Sequence, residues 1–130
     1  MTNSDVSRFA LEHVVRYENR HGREYLPDER THGEGCDIIT QGKDGKKRYI
    51  EIKSTAKRRH PNRWLEETQY KALSGQRDFW IYLVLDVTKE SAKIRPVHKS
   101  EWPKKPIRES IKYWYKIDES LQCDAEEERA

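Results

Sequence analysis

The chain has 130 residues, a length that argues for one domain with a modest core. Only 34% of residues are hydrophobic and 38% are charged; no 18-residue apolar run exists, so no membrane span is expected. The net charge of +3 conceals a split: of 26 basic and 23 acidic residues, six acids and one base lie from Asp118 onward, which leaves 25 and 17, or +8, on residues 1–117. A basic body favours a polyanionic partner, and the acidic end reads as a solvated, flexible tail, so the expected division is a single domain over 1–117 and a tail over 118–130. There is no apolar signal segment at the N-terminus, and Cys36 and Cys123 lie far apart in unlike surroundings. A cytoplasmic protein with free thiols is expected.

Ser4 suits a helix N-cap with Asp5 in the first turn, Val6, Ala10, Val14 and Tyr17 recur at helical spacing, and Gly22 is a reasonable stop. "REYLP" is a weak strand signal. "CDIITQ" and "KRYIEIKST" are stronger ones, joined by the turn signal "GKDGK". The charged loop "AKRRHPNR" leads to a helix over about Glu66–Ser74. "DFWIYLVLDV" is almost wholly apolar and reads as a strand buried on both faces. "AKIRPVH" is a further strand, placed at an edge by Pro96, and "IKYWYKI" fits strand or helix. A crossover helix before the late strand lets it join in parallel, giving an α/β domain with a mixed sheet.

Alternation along a strand puts Tyr49, Glu51 and Lys53 on one face and Ile50 and Ile52 on the other. A three-residue loop, Lys43-Asp44-Gly45, with Gly45 left-handed, sets Asp37 opposite Glu51 on that face. A two-residue Asp44-Gly45 turn would shift the register by one and send Asp37 to the other face. The three-residue loop is preferred because it also pairs Ile38 with Ile50. Opposed carboxylates repel unless compensated. Lys53 supplies one positive charge, and a divalent cation with all-oxygen ligands, magnesium by habit, compensates better. The plain alternative is a solvated ladder that Lys53 neutralises. Glu18 flanks the core stripe of the first helix at its last turn, where the helix dipole disfavours a carboxylate and a nearby cation would offset the cost.

"Gly35-Cys36-Asp37-Ile38" followed by "Ile50-Glu51-Ile52-Lys53" resembles the D…E-x-K signature of the PD-(D/E)xK nuclease superfamily. The sequence is most similar to the Mrr-like branch, close to the small domain found at the C-terminus of the plant protein NO VEIN. The likeness runs from "Tyr17-Glu18" and Gly22 through "IEIKST" to "Thr68-Gln69-Tyr70-Lys71-Ala72" and "FWIYLV", over about residues 5–87. Two positions depart from the pattern, Cys36 for an aromatic and Gln69 for a glutamate. The resemblance implies a restriction-endonuclease-like αβββαβ core and Mg2+-dependent hydrolysis of phosphodiesters, with Mn2+ able to substitute. It makes Asp37, Glu51 and the backbone carbonyl of Ile52 metal ligands and gives Glu18 a supporting role at the metal. Lys53 would then position or deprotonate the attacking water, and Gln69 would orient water or phosphate.

Lys57, Arg58, Arg59, His60 and Arg63 follow the proposed catalytic strand and suit contacts with phosphates. A second basic set (Lys99, Lys104, Lys105, Arg108, Lys112, Lys116) is interleaved with Trp102, Tyr113, Trp114 and Tyr115, aromatics that either stack on bases or pack against the sheet. His32 and Cys36 lack the partners a zinc site needs. The function expected is a metal-dependent nuclease acting on nucleic acid, DNA before RNA. The alternatives are a catalytically silent nucleic-acid-binding domain and a protein-interaction module. So small a chain has little room for a separate recognition domain, so a homodimer is a further expectation.

Overall fold

The computed structural model describes residues 1–31, 34–60, 63–104, 108–109 and 113–130; for Arg63, Trp64, Arg108, Glu109 and Trp114 it describes the backbone alone. Helix α1 spans Asn3–Arg20. Its cap is Thr2 and not Ser4: Thr2 Oγ1 accepts the Asp5 N–H at 3.1 Å, and the Asp5 carboxylate accepts the Thr2 N–H at 2.9 Å. This reciprocal box satisfies two backbone donors, which a cap at Ser4 would leave open. Val6, Ala10, Val14 and Tyr17 are buried as their spacing predicts, and Gly22, at φ +79°, ends the helix.

Strands β1 (Arg23–Tyr25), β2 (Ile38–Gly42) and β3 (Lys47–Ser54) follow. After β4 (Arg63–Leu65) and helix α2 (Glu67–Ala72), strand β5 (Phe79–Leu85) runs parallel to β3, and β6 (Ser91–His98) pairs antiparallel to β5. The core order is therefore αβββαβ, with β4 inserted before α2. Then come β7 (Arg108–Glu109), β8 (Tyr113–Tyr115), α3 (Glu119–Gln122) and β9 (Glu126–Arg129). A mixed six-stranded sheet has the order β1-β2-β3-β5-β6-β9, and a small sheet has the order β4-β8-β7. No helix among the described residues is long and apolar enough to cross a membrane.

Both faces of the large sheet are covered. Ile38, Ile50, Tyr82, Val84 and Ile94 meet α1 through Val6, Ala10, Val14 and Tyr17. On the other face Phe79, Ile81, Leu83 and Val97 meet Leu65, Trp102, Tyr115 and Ile117, with Tyr70 and Leu73 of the α2 segment beside them. This explains the unbroken apolar run of β5: its neighbours on both sides are core.

Two expectations change here. The acidic C-terminal stretch is not a loose tail: β9 pairs with β6 from Ser91↔Arg129 to Ile94↔Glu126, and Glu128 is 5% exposed. Its carboxylate takes an Arg20 hydrogen bond at 2.5 Å, so a cation of α1 offsets charge that composition alone assigns to water. Strand β6 is accordingly an edge only in part; Pro96, which has no N–H to give, lies beyond the last β9 pair. Residues 113–115 of the ambiguous "IKYWYKI" are strand.

Candidate active site

The hairpin fixes the site. Gly42 N–H bonds the Lys46 carbonyl at 3.0 Å, and Gly45 sits at φ +80°, so the loop has three residues. The register pairs Ile38 with Ile50 and Gln41 with Lys47. Asp37 lies immediately before β2; its N–H bonds the Ile50 carbonyl at 2.8 Å, and its carboxyl hydrogen-bonds that of Glu51. Its Oδ2 accepts the Ile52 N–H at 2.7 Å. The carbonyl of a strand residue points the same way as its N–H, so the Ile52 carbonyl also turns toward Asp37.

Glu51 is 5% exposed and pairs with Lys53 Nζ at 3.2 Å. Lys53 Nζ also donates to Gln69 Oε1 at 3.3 Å, and that oxygen accepts the Glu66 N–H at 3.1 Å. One side-chain oxygen thus caps α2 and holds the lysine, tying the helix to the strand. Gly35 lets the helix come this close: a Cβ there would meet the Thr68 carbonyl oxygen at 2.7 Å, and its φ is +74°. Burial, the neighbouring Asp37 charge and the hydrogen bond between the two carboxyls push the Glu51 carboxyl up to about 8, against the opposing pull of Lys53. Burial, followed by the same carboxylates, pushes the Cys36 thiol up to about 12, so Cys36 is a packing residue and not a nucleophile.

Asp37, Glu51, Lys53 and Gln69 are therefore brought together. Glu18 is not. It is fully buried on the α1 side, where Arg23 grips both its oxygens at 2.8 and 2.6 Å and Thr40 and Tyr82 each donate at 2.8 Å. In β5, Ile81 stands beside Glu51 and Leu83 beside Lys53, whereas Tyr82 points to the opposite face. Glu18 thus closes a structural network behind the sheet, and its supporting role at the metal is withdrawn.

The donor set fits a hard cation. Two carboxylates and a backbone carbonyl offer oxygen only, and the raised carboxyl of Glu51 is what a buried acid beside a second carboxylate shows without a positive charge between them. Among the described residues no three His, Cys, Asp or Glu side chains cluster at metal-binding distance, so the carbonyl and outer water must complete any coordination, as magnesium commonly has it. A cleft of about 410 Å3 beside α1, lined in part by Ser7, Arg8, Leu11 and Tyr25, opens onto Asp37 and Ile52.

Of the basic loop, Lys57, Arg58 and Arg59 are exposed. Asp86 N–H bonds the Lys57 carbonyl at 2.9 Å, fixing the loop to the end of β5. Arg59 pairs with Glu119 of α3. His60, expected as a phosphate contact, is 5% exposed, and its N–H donates to Gln122 Oε1 at 2.7 Å; α3 packs over it and takes it out of reach. Arg63 lies in β4, its side chain outside the described residues, as are Lys105, Lys112 and the Arg108 and Trp114 side chains. Trp102 is buried against the sheet. One residue that sequence patterns did not mark is Arg77, which donates to the Tyr49 hydroxyl at 2.6 Å and covers its ring, on the strand face of Glu51; its loop, "SGQRD", carries no signal.

Comparison with solved structures finds a similar fold in Archaeoglobus fulgidus Hjc, described as a Holliday junction resolvase from an archaeal hyperthermophile. The TM-score is 0.58 and the identity 19%, over 92% of this chain and 88% of that one. No curated protein matches the sequence. The family model "Protein NO VEIN, C-terminal" matches residues 6–97, a span holding Asp37, Glu51, Lys53 and Gln69. The chain belongs to the NO VEIN C-terminal family and has the restriction-endonuclease-like fold of the PD-(D/E)xK nucleases.

Proposed function

We propose that the chain is a metal-dependent nuclease that hydrolyses phosphodiester bonds in DNA. The observation that carries this is the placement of Asp37 against Glu51, with Lys53 held between Glu51 and Gln69. Asp37, Glu51 and the Ile52 carbonyl would hold Mg2+, or Mn2+ in its place. When bound, that ion supplies charge neutralisation at the phosphoryl oxygens and at the attacking water. To serve as a ligand Glu51 would have to be ionised, and its raised carboxyl would make metal affinity depend on pH. Lys53, released from Glu51, orients the attacking water and offsets charge on the phosphate. Gln69, fixed by its bond to the Glu66 N–H, holds the lysine in line. Lys57 and Arg58 meet the backbone of the strand being cut. Two copies of the chain would bring two such sites to two strands; the likeness to a Holliday junction resolvase supports testing branched DNA and a dimer first.

The test is incubation with single-stranded, duplex and four-way-junction DNA and with RNA, in Mg2+ or Mn2+, with Glu51→Gln and Lys53→Met as controls. Cleavage of DNA that both substitutions abolish is the expected result. Binding without cleavage of any substrate would replace the enzyme with a silent binding domain.

A further inference from the structure

The cleft that opens onto Asp37 and Ile52 has two unlike sides. At Asp37 it meets the phosphate and metal chemistry proposed above; toward α1 it is apolar. Leu11 of α1, Tyr25 of β1 and Ile52 of β3 are half-buried, pack against the α1-side core and line the cleft. Ser7 and Arg8 are exposed at its rim. Helical spacing places them there, since Ser7 and Leu11 stand four residues apart on one face of α1. The volume of about 410 Å3 falls within the roughly 300–1,000 Å3 of small-ligand sites, which are mostly apolar with a few polar groups.

Ile52 joins the two sides. It lines the cleft, its N–H is bound by Asp37 Oδ2 at 2.7 Å, and Asp37, itself exposed, lines the same cleft. A phosphate at Asp37 therefore brings whatever is bonded to it to the cleft. In DNA that is a deoxyribose and a flat base. Tyr25 is the aromatic residue of the lining, and aromatic rings are the surfaces on which unpaired bases stack. The Ser7 hydroxyl has no hydrogen-bond partner among the described residues and can donate to or accept from a base edge. Arg8 pairs with Asp5 at 3.2 Å, with the two side chains 63% and 36% exposed. Such surface pairs are weak, so the guanidinium can turn to a neighbouring phosphate. In a paired duplex the bases are stacked and their edges engaged, so only a nucleotide out of the stack can enter.

We propose that this cleft seats the base of an unpaired nucleotide adjoining the scissile phosphate, stacked on Tyr25 beside Leu11 and Ile52. The proposal rests on the nucleic-acid reading above and names the form of DNA that the site takes; its test needs no cleavage. In the full chain, in EDTA, the backbone N–H resonances of Ser7, Leu11 and Tyr25 are followed while each of the four deoxynucleosides is added, with deoxyribose as control. Deoxynucleosides lack the phosphate that the two acids would repel without a cation. A saturable shift with at least one deoxynucleoside is expected, with none for deoxyribose and none in Ser7→Trp, whose indole at the exposed rim covers the cleft. In EDTA, by fluorescence anisotropy, duplex DNA with a single-nucleotide bulge should bind about tenfold more tightly than the paired duplex, the worth of about one stacked base. Tyr25→Ala and Ser7→Trp should each bring that ratio to within about twofold. Resonances unmoved by all four deoxynucleosides, or moved equally by deoxyribose, overturn the proposal, as does a bulge preference intact in both variants. Should Tyr25→Ala not fold, Ser7→Trp, at an exposed position, decides. Bulged and paired duplex bound alike by the wild type would remove this proposal and keep the nucleic-acid reading; binding of neither would remove both. Failure to cleave DNA would leave these outcomes unaffected.

Discussion

Asp37 Oδ2 accepts the Ile52 N–H at 2.7 Å, so the carboxylate before β2 is tied to the residue that separates Glu51 from Lys53. That bond holds two acids together at the end of a hairpin. The cost of doing so appears at Glu51.

The first prediction concerns pH and stability. The Glu51 carboxyl lies at about 8 in the fold, above its ordinary 4.5. The folded state thus holds a proton the unfolded chain releases, and the stabilisation this gives is complete below pH 4.5 and lost as pH rises through about 8. Glu51→Gln should therefore raise the stability at pH 8.5, by an amount on the order of 3 kcal/mol or less, with a higher melting temperature, and the gain should vanish near pH 4.5. Mg2+ should stabilise the wild type at pH 8 and leave Glu51→Gln unmoved. Thermal melts across pH, with and without Mg2+, check both.

Glu18 should behave oppositely. Removing it leaves Arg23, 17% exposed, without its bidentate partner, and breaking such a pair costs roughly 3–5 kcal/mol. Glu18→Ala should lose stability of that order in urea. Its cleavage rate per folded molecule, measured at low temperature, should stay within about threefold of wild type.

Gly35→Ala tests how α2 is seated. The added methyl meets the Thr68 carbonyl and demands φ +74°, which favours glycine. Moving α2 carries Gln69 away from Lys53, so kcat should fall about tenfold or more while affinity for DNA at low salt holds; single-turnover kinetics separate the two.

Lys57→Ala and Arg58→Ala should each weaken DNA binding without sequence preference and lower the slope of log K against log salt by about 1. His60→Ala should instead cost stability and leave the slope alone, because its side chain is buried; the backbone N–H that serves Gln122 stays in the variant. Salt titrations by fluorescence anisotropy, with melts of each variant, decide this.

What could be read in advance follows from how local its causes are. The closeness of Asp37 to Glu51 was legible because one loop, Lys43-Asp44-Gly45, sets Ile38 against Ile50 and so fixes the register of the hairpin. The helical spacing of Val6, Ala10, Val14 and Tyr17 likewise named the core face of α1. Glu18 was placed correctly along the helix and wrongly in the site, because its partners Arg23, Thr40 and Tyr82 come from three strands that no spacing connects. The acidic C-terminus misled for the same reason: Glu126 and Glu128 find Arg20, more than 100 residues away in sequence. Composition reports charge and cannot report which cation waits across the fold.

The most direct measurement is cleavage of end-labelled single-stranded, duplex and four-way-junction DNA in Mg2+ by the wild type, Asp37→Asn, Glu51→Gln and Lys53→Met at equal folded concentration. The wild type should cut at least one substrate, and each variant should fall by at least about a hundredfold. Cleavage that persists in Asp37→Asn and Glu51→Gln would contradict the assignment of the site.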